Sequence, residues 1–349
     1  MRITQKARLA ALGVAFVYAA CRAENPVLSV HEYAHPKVVR FLGPMPEPET
    51  NRFRPEVIHL GRKLFYEPKL SANGKVSCAT CHEQSQGFSD GVALATTGVS
   101  GKPATRNSPA LINLAWSNNG LFWDGGAKNL ESQLLGPLHN PDEMGQAIGV
   151  SLDKLKADSS YRRAFEKAFP DQQVSITNLL QAIAQFVRTL VSFDSLYDRV
   201  LRQEAMLNDA EARGRNLFTG NCAVCHNGPL MTDNDYHNNG IDTTYPPIHD
   251  GQPMGRFRIT RKDADIGKFR TPTLRNIAVT RPYMHDGRFA TLEAVIEHYS
   301  SGIKRSATLD GKLPAGGFHF SAQDKADLKE FLLTLTDENF LKRKEFRLD

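Results

Sequence analysis

The chain has 349 residues, of which 41% are hydrophobic and 23% charged, enough for one large domain or two smaller ones with sizeable cores. Its formal charge of +5 is misleading, because the first 23 residues hold four basic residues and no acid, and removing them takes the charge from +5 to +1. So small a charge gives no basic patch from which to argue nucleic-acid binding.

Residues 1–23 have the parts of an export signal. Basic residues precede an apolar run of twelve residues, Leu9 to Ala20, which is too short to span a bilayer. Cleavage after Ala23 would leave a chain with no transmembrane helix. Lipoprotein processing at Cys21, which would anchor the chain through a lipid, is the alternative. Both routes predict a location in the periplasm.

The segment 24–54 is predicted to be extended, because it contains the run Gly43-Pro44-Met45-Pro46-Glu47-Pro48. A helix is then predicted over about Pro55 to Phe65, with apolar residues recurring on one side. It ends in the sequence Gly61-Arg62-Lys63-Leu64-Phe65, shortly before the first cysteine pair.

Two CxxCH motifs carry the clearest chemistry in the sequence. In c-type haem attachment, two thiols form thioethers with the porphyrin and the adjacent histidine ligates the iron. A redox CxxC or half of a zinc site is the alternative, but a histidine follows the second cysteine in both copies, which argues against it. The motifs predict two covalent haems c, one on Cys78, Cys81 and His82 and the other on Cys222, Cys225 and His226.

The approach to the second motif repeats the approach to the first. Asn208 with Glu211 predicts a helix start, and Gly214-Arg215-Asn216-Leu217-Phe218 matches the earlier Gly-Arg-x-Leu-Phe sequence. A long helix is predicted between the copies, over about Ile176 to Gln203, and Ser321 with Asp324 predicts the start of a closing helix. Strand signals are few, so the predicted fold is mainly α with long ordered loops.

Further markers stand in order around the haem motifs. With them the chain resembles the bacterial di-haem cytochrome c peroxidase and MauG superfamily over about residues 55–335. The resemblance implies two tandem cytochrome c-like domains with one c-type haem each: a peroxide-reactive domain at 55–205 and an electron-relay or charge-storing domain at 206–349. The markers are Arg106-Asn107-Ser108-Pro109, Phe122-Trp123-Asp124-Gly125, Asn140-Pro141-Asp142-Glu143, Thr271-Pro272-Thr273-Leu274-Arg275-Asn276 and Pro282-Tyr283-Met284-His285-Asp286-Gly287.

The resemblance also implies roles for single residues. Trp123 falls where the family places an indole between the haems as an electron relay. Gln133 and Glu143, ten and twenty residues further on, fall where the family lines the distal side of the peroxide-reactive haem. Pro137 matches a distal-pocket proline. Without the resemblance, Trp123 would be read as a core aromatic, Gln133 as a surface amide and Glu143 as a solvated loop acid.

The implied chemistry is proton transfer beside a haem. Glu143 would take the proton from the near oxygen of hydrogen peroxide and help return it to the far one, while Gln133 orients the peroxide. Asn107, Thr280 and Pro282 match the family's calcium site, and carbonyl oxygens suit that hard cation. The implied cofactors are therefore two haems c and Ca²⁺.

Two departures from the peroxidase pattern bear on the subclass. Where many relatives carry a histidine that caps the first iron, this chain has Val99, which predicts a first haem that is open without prior reduction. Where they carry a methionine ligand of the second iron, this chain has Tyr299, on the inward face of a helix capped by Thr291. Met284 and His298 are the rival ligands, and a core tyrosine with a hydrogen-bonded hydroxyl is the alternative.

Three functions follow. The first is a periplasmic peroxidase that reduces hydrogen peroxide at the first haem, with the second haem as relay or store and a small cytochrome c or copper protein as electron donor. The second is a MauG-like enzyme that oxidises tryptophan or tyrosine side chains of a partner protein, favoured because an anionic phenolate stabilises high iron oxidation states. A non-catalytic di-haem electron carrier is the third. The resemblance leaves a homodimer open.

Overall fold

Helices dominate the structure, as the sequence predicted. The structure, a computed structural model, describes residues 36–170, 173–245 and 254–348. The export signal, its Cys21 and the cleavage position lie outside the described residues. Along the described ranges the helices are α1 Pro36–Leu42, α2 Pro55–Phe65, α3 Cys78–Cys81, α4 Leu130–Gln133, α5 Leu135–His139, α6 Ile148–Ala157, α7 Ser159–Ala168, α8 Ile176–Arg188, α9 Leu196–Leu201, α10 Asp209–Asn221, α11 Phe257–Thr260, α12 Leu292–Glu297, α13 Ala322–Leu333 and α14 Glu338–Lys342.

Sheet structure is limited to one small pair of strands in the described part of the chain. The strands β1 (Tyr236–His237) and β2 (Phe269–Arg270) pair antiparallel, with Tyr236 opposite Arg270. Within the ranges described, no helix is both long enough and apolar enough to cross a bilayer.

The predicted helix starts are confirmed where local capping sets them. Helix α2 has the predicted bounds. Asn208 caps α10 in a capping box with Glu211, and Ser321 caps α13 in the same way with Asp324. Each of these helix starts depends only on residues close together in the chain, so it can be predicted from the sequence.

Two predictions of secondary structure are wrong. The predicted single helix over 176–203 is two helices. The backbone groups between α8 and α9 form hydrogen bonds with distant side chains instead of helical hydrogen bonds. Ser192 exchanges hydrogen bonds with the Asn113 amide at 2.9 and 3.0 Å, and the Phe193 N–H donates to the Asp337 carboxylate at 3.0 Å. The segment 24–54 is not wholly extended either, since it contains α1.

The repeated glycine of the Gly-Arg-x-Leu-Phe sequence is explained by helix packing. Helix α2 crosses α8 at Gly61, where an added Cβ would lie 1.9 Å from the Ala182 carbonyl oxygen. Helix α10 crosses α13 at Gly214, where a Cβ would lie 1.9 Å from the Asp327 carbonyl oxygen. Each haem motif is therefore preceded by a helix that lies directly against the backbone of another.

We predict that Gly61→Ala and Gly214→Ala each lower the free energy of unfolding by about 1–3 kcal/mol, because the new methyl group must push two helix backbones apart. The matched control is Gly220→Ala, also in α10, where no atom lies within 4 Å of the added Cβ. That change should be neutral or stabilising by up to ~1 kcal/mol. Urea unfolding of the holoproteins measures all three, and equal effects at Gly214 and Gly220 would contradict the packing explanation.

Two apolar cores follow the two halves of the sequence. The first is built on α2 and α8, and the second on α10, α12 and α13. The C-terminal tail crosses back, because Phe340, Leu341 and Phe346 belong to the first core. A buried ion pair, Arg275 with Asp198 at 2.6 Å, further ties α9 to the segment after β2.

Candidate functional site

The first haem motif forms a short helix beside the first core. The Ser77 N–H donates to the Thr80 hydroxyl at 3.0 Å in a capping box that starts α3. His82 follows α3 and donates from Nδ1 to the carbonyl oxygen of Phe88 at 2.8 Å. Burial lowers the pKa of His82, which keeps the ring neutral. A neutral imidazole with Nδ1 so engaged presents Nε2 to a metal.

The second motif repeats this arrangement at the end of α10. His226 donates from Nδ1 to the carbonyl oxygen of Met231 at 3.2 Å, and burial lowers its pKa as well. Cys222, Cys225 and His226 all line one cavity. Both histidines are thus anchored in the same way, with Nδ1 on a backbone carbonyl oxygen and Nε2 left for another partner.

The residues predicted for the distal side of the first haem come from one stretch of chain. Gln133 ends α4 and Pro137 lies one turn later in α5. The turn that follows brings Glu143 back, because its N–H donates to the Asn140 carbonyl at 2.9 Å and the next N–H, that of Met144, donates to Pro137 at 3.1 Å. The structure therefore brings Pro137 and Glu143 together.

Glu143 is a partly buried acid near the first cysteine pair. Burial raises its pKa, a hydrogen bond of 2.7 Å from the Asn140 amide opposes that rise, and the charge of Asp142 adds to it. Burial also raises the pKa of the Cys78 thiol to about 12, and the charges of Cys81 and Glu143 contribute. The carboxylate thus lies within electrostatic reach of both groups that attach the first haem.

Gln133 has an unusual environment for an amide. Its Oε1 is buried and accepts no hydrogen bond within the described ranges. Buried polar atoms without a partner are rare and call for an absent water, ion or ligand. The alternative of an ordinary surface amide therefore does not describe Gln133. The unpartnered oxygen fits a site in which a bound molecule would supply the hydrogen bond.

Val99 lies beside Glu143. Its backbone N–H donates to the Glu143 carbonyl oxygen at 2.8 Å, and its side chain packs against the first core. An aliphatic side chain cannot bind iron. The position therefore contributes no ligand, as predicted.

Trp123 lines the cavity that Cys222, Cys225 and His226 also line. This cavity is called the second-haem cavity below. Its Nε1 donates to the backbone carbonyl oxygen of Asn107 at 2.8 Å, and its own carbonyl oxygen accepts from the Arg270 N–H at 2.7 Å. The Asn107 carbonyl oxygen therefore holds the indole, and β2 holds the Trp123 backbone.

The three residues predicted to bind calcium line this same cavity. The Asn107 amide nitrogen donates to the carbonyl oxygens of Val92 and Ala93 at 2.9 and 3.3 Å, which directs Oδ1 away from them. Thr280 and Pro282 line the cavity as well, and each has a backbone carbonyl oxygen that could be a ligand. Such neutral oxygen donors suit a hard cation.

Tyr299 lies where α12 widens into a π-helical turn at His298–Gly302. Single π-helical turns within helices are frequent at functional sites. The extra residue per turn changes which side chains face inward. His298 is buried, and its Nε2 donates to the Asn239 backbone carbonyl at 3.0 Å. With Nε2 so engaged, His298 is a poor rival ligand.

The Asn239 side chain contacts both Tyr299 and Met284, the two remaining candidates for the ligand of the second haem. Its Nδ2 donates to the Tyr299 hydroxyl at 3.3 Å and to the Met284 sulfur at 3.4 Å. Burial raises the pKa of Tyr299 to about 12, while the Asn239 hydrogen bond lowers it. Both side chains line the cavity that contains His226, so the structure brings the tyrosine and the methionine to the same region.

These residues fit two covalently attached haems. Each half has two cysteines for thioethers and a histidine whose second ring nitrogen is anchored. The first half adds an orphaned amide oxygen and a partly buried carboxylate, and the second adds a partly buried phenol. A ferric ion beside that phenol would favour its ionised form, as cations do for coordinating groups. Two residues of the cavity, Asn239 and Arg270, were missed, because a turn-like Asn-Asn-Gly run and a lone basic residue give no distinctive signal.

Comparisons with known proteins agree with this geometry. Residues 55–206 match the family model described as di-haem cytochrome c peroxidase. The chain is 37% identical to the methylamine utilization protein MauG of Methylorubrum extorquens over 300 residues, covering 84% of this chain and 82% of that one. It is 38% identical to the cytochrome c551 peroxidase of Nitrosomonas europaea over 245 residues, covering 69% and 72%. A crystal structure of a MauG-like protein associated with microbial copper homeostasis superposes with a TM-score of 0.80 at 38% identity, covering 87% and 96%.

Proposed function

Because this chain belongs to the di-haem cytochrome c peroxidase family, as its sequence predicted, we propose that it reduces hydrogen peroxide at the first haem and uses the second as relay or store. The family makes it a di-haem oxidoreductase, so a non-catalytic carrier is not favoured. The observation that carries the finer proposal is the contrast between the two sites. The first pairs a partly buried acid with an orphaned amide oxygen, and the second pairs a partly buried phenol with its hydrogen-bond donor.

At the first site, the haem on His82 would supply the iron at which peroxide is reduced. Glu143 is suited to hold a proton in transit, because partial burial raises its pKa and the Asn140 amide orients its Oε1. The amide of Gln133 can donate to one peroxide oxygen and accept from the hydroperoxide O–H. Pro137 fills the adjoining wall without offering a competing donor. Val99 leaves the iron accessible.

At the second site, Tyr299 closes the distal side and Asn239 holds its hydroxyl. A phenolate ligand is anionic and favours the oxidised metal, in contrast to a thioether. Trp123, fixed between Asn107 and Arg270, is suited to pass electrons between the halves. We propose that this arrangement stores an oxidising equivalent.

A second candidate function is oxidation of tryptophan or tyrosine side chains on a partner protein. Tyr299 favours it, because a charge-storing haem serves an enzyme whose substrate is too large to reach the first site. The similarity to a MauG of Methylorubrum extorquens and to a MauG-like structure lends it support. Either function would be carried out in the periplasm, where the proposed export signal leads.

The test is to add stoichiometric hydrogen peroxide to the fully oxidised holoprotein in a stopped-flow spectrometer. We expect a rapid change in the haem spectrum without prior reduction, followed by slow decay. A protein that reacts only after partial reduction would contradict an open first haem. Absence of any reaction in either state would overturn the peroxide chemistry altogether.

A second arm separates the two functions. A peroxidase should return rapidly to the resting spectrum when a reduced small cytochrome c or copper protein is added, and should oxidise that donor catalytically. A MauG-like enzyme should instead leave new absorbance or an oxygen-mass increase on an aromatic residue of a protein substrate. Rapid catalytic turnover with the soluble donor and no protein modification would favour the peroxidase.

We further propose that Asn107, Thr280 and Pro282 bind Ca²⁺. Because Asn107 also accepts the Trp123 indole hydrogen bond through its backbone, loss of the ion should disturb the relay as well. We predict that treatment with a calcium chelator slows the peroxide reaction and changes the second-haem spectrum, and that added Ca²⁺ restores both. Elemental analysis that finds no calcium in the purified protein would contradict this site.

A further inference from the structure

We propose that Arg270 binds a propionate carboxylate of the second haem and so anchors the edge of that haem to the Trp123 segment. This inference rests on the second haem occupying the cavity beside His226. It is independent of which substrate the enzyme oxidises. The Arg270 guanidinium lines this cavity and is partly buried, and no carboxylate of the described residues balances its charge.

Arg270 is held in place by backbone groups of the Trp123 segment. Its backbone N–H donates to the Trp123 carbonyl oxygen at 2.7 Å, and its Nε donates to the Phe122 carbonyl oxygen at 3.3 Å. Strand pairing with Tyr236 fixes the backbone from the other side. The guanidinium therefore has a set position on the cavity wall, where it lies beside Trp123.

No carboxylate in the described ranges neutralises this guanidinium. Its contacts are neutral, the Phe122 carbonyl and the Asn234 amide oxygen at 3.5 Å. Burial lowers the pKa of Arg270, and no nearby Asp or Glu among the described residues acts against that effect. A partly buried guanidinium without an anionic partner is costly, so this position favours a negatively charged group.

The other basic side chains of the cavity differ from Arg270. His237 lies between two carboxylates, Asp310 at 2.6 Å and Asp233 at 2.9 Å, and is neutralised by them. Burial lowers the pKa of His285 to about 4, so that side chain is uncharged near neutral pH. Among the described residues that line the cavity, Arg270 is thus the cation that still needs an anion.

Haem c carries two propionates, and its thioether bonds fix the opposite edge of the porphyrin at Cys222 and Cys225. A planar guanidinium matches a carboxylate in two parallel hydrogen bonds. The second haem therefore brings the missing anion into the cavity. The Arg270 side chain also donates to the Phe122 carbonyl oxygen, and its backbone N–H donates to the Trp123 carbonyl oxygen. The same residue would therefore join the haem edge to the relay.

The test is the reduction potential of the second haem, measured by spectroelectrochemistry without peroxide. Arg270→Gln removes a cation beside the haem, which disfavours the reduced state, so the second-haem potential should fall while the first-haem potential stays close to that of the wild type. Covalent attachment should persist, because Cys222 and Cys225 are unchanged, and mass spectrometry checks it. Failure of the peroxide reaction would not affect this readout.

Arg256→Gln is the matched control. Arg256 donates from Nη1 to the Asp124 carbonyl oxygen at 2.9 Å and lies over the Tyr236 ring, so it neighbours the same segment without lining the cavity. It changes the net charge equally and should shift the potential much less. Equal shifts in the two Gln variants, or no shift in either, would overturn the proposal.

Arg270→Lys keeps the charge but loses the paired geometry, and it tests the proposal even if Arg270→Gln does not fold. We expect its second-haem potential to remain near that of the wild type. The propionate bending band in its resonance Raman spectrum should shift, because that band reports hydrogen bonding to the carboxylate. An unchanged band would mean that Arg270 does not bind a propionate.

Discussion

Tyr299→Phe should raise the reduction potential of the second haem by on the order of 100 mV or more, since axial ligands move haem potentials over about 0.8 V. The change would remove the anionic ligand proposed for the second iron. The Met284 sulfur accepts a hydrogen bond from the same Asn239 amide that donates to Tyr299, so it lies close enough to replace the phenolate. Thioether ligation stabilises the reduced iron.

Two further variants make this prediction specific. Tyr299→Phe combined with Met284→Leu should leave the second haem without a strong distal ligand, which a high-spin spectrum would reveal. Met284→Leu alone should leave both the spectrum and the potential near those of the wild type. If Tyr299→Phe has the wild-type spectrum and potential, the tyrosine is a core residue and another group ligates the iron.

Glu143→Gln should slow the reaction with peroxide by about 10²-fold or more, the usual contribution of a positioned acid–base group. The substituted amide keeps the shape of the side chain and can still contact Asn140, so haem content and the resting spectrum should not change. Stopped-flow measurement of the second-order rate constant provides the comparison. A rate constant close to that of the wild type would rule out proton transfer by Glu143.

The pH profile gives an independent check on the same residue. A carboxylate must be unprotonated to accept a proton, and burial raises the pKa of Glu143. The rate should therefore fall as the pH decreases, beginning above the ordinary titration range of a glutamate. Asp142→Asn should move this fall to lower pH, because the Asp142 charge helps to raise the Glu143 pKa. A profile identical in the two proteins would contradict that coupling.

Features that depend on a few adjacent residues were predictable from the sequence. The haem attachment motifs, the capped starts of α10 and α13, and the bounds of α2 are of this kind. The repeated glycines were visible as a pattern, but their reason was not, because Gly61 and Gly214 approach backbones more than a hundred residues away. The repeat therefore predicted two modules without predicting the contacts that build them.

Features that depend on distant partners could not be predicted. The side chains of Asn113 and Asp337 set the break between α8 and α9. Residues 189–195 contain no sequence signal that predicts these two partners. The burial of His298 depends on one π-helical turn. Asn239 and Arg270 gain their importance only when folding brings them to the second-haem cavity.

The central claim is that one haem is open and the other is closed by Tyr299. The electron paramagnetic resonance spectrum of the fully oxidised, resting holoprotein tests it most directly. We predict a high-spin signal from the haem on His82, which changes when an external ligand such as azide is added, beside a second-haem signal that azide leaves unchanged. Two low-spin signals, both insensitive to azide, would contradict the claim.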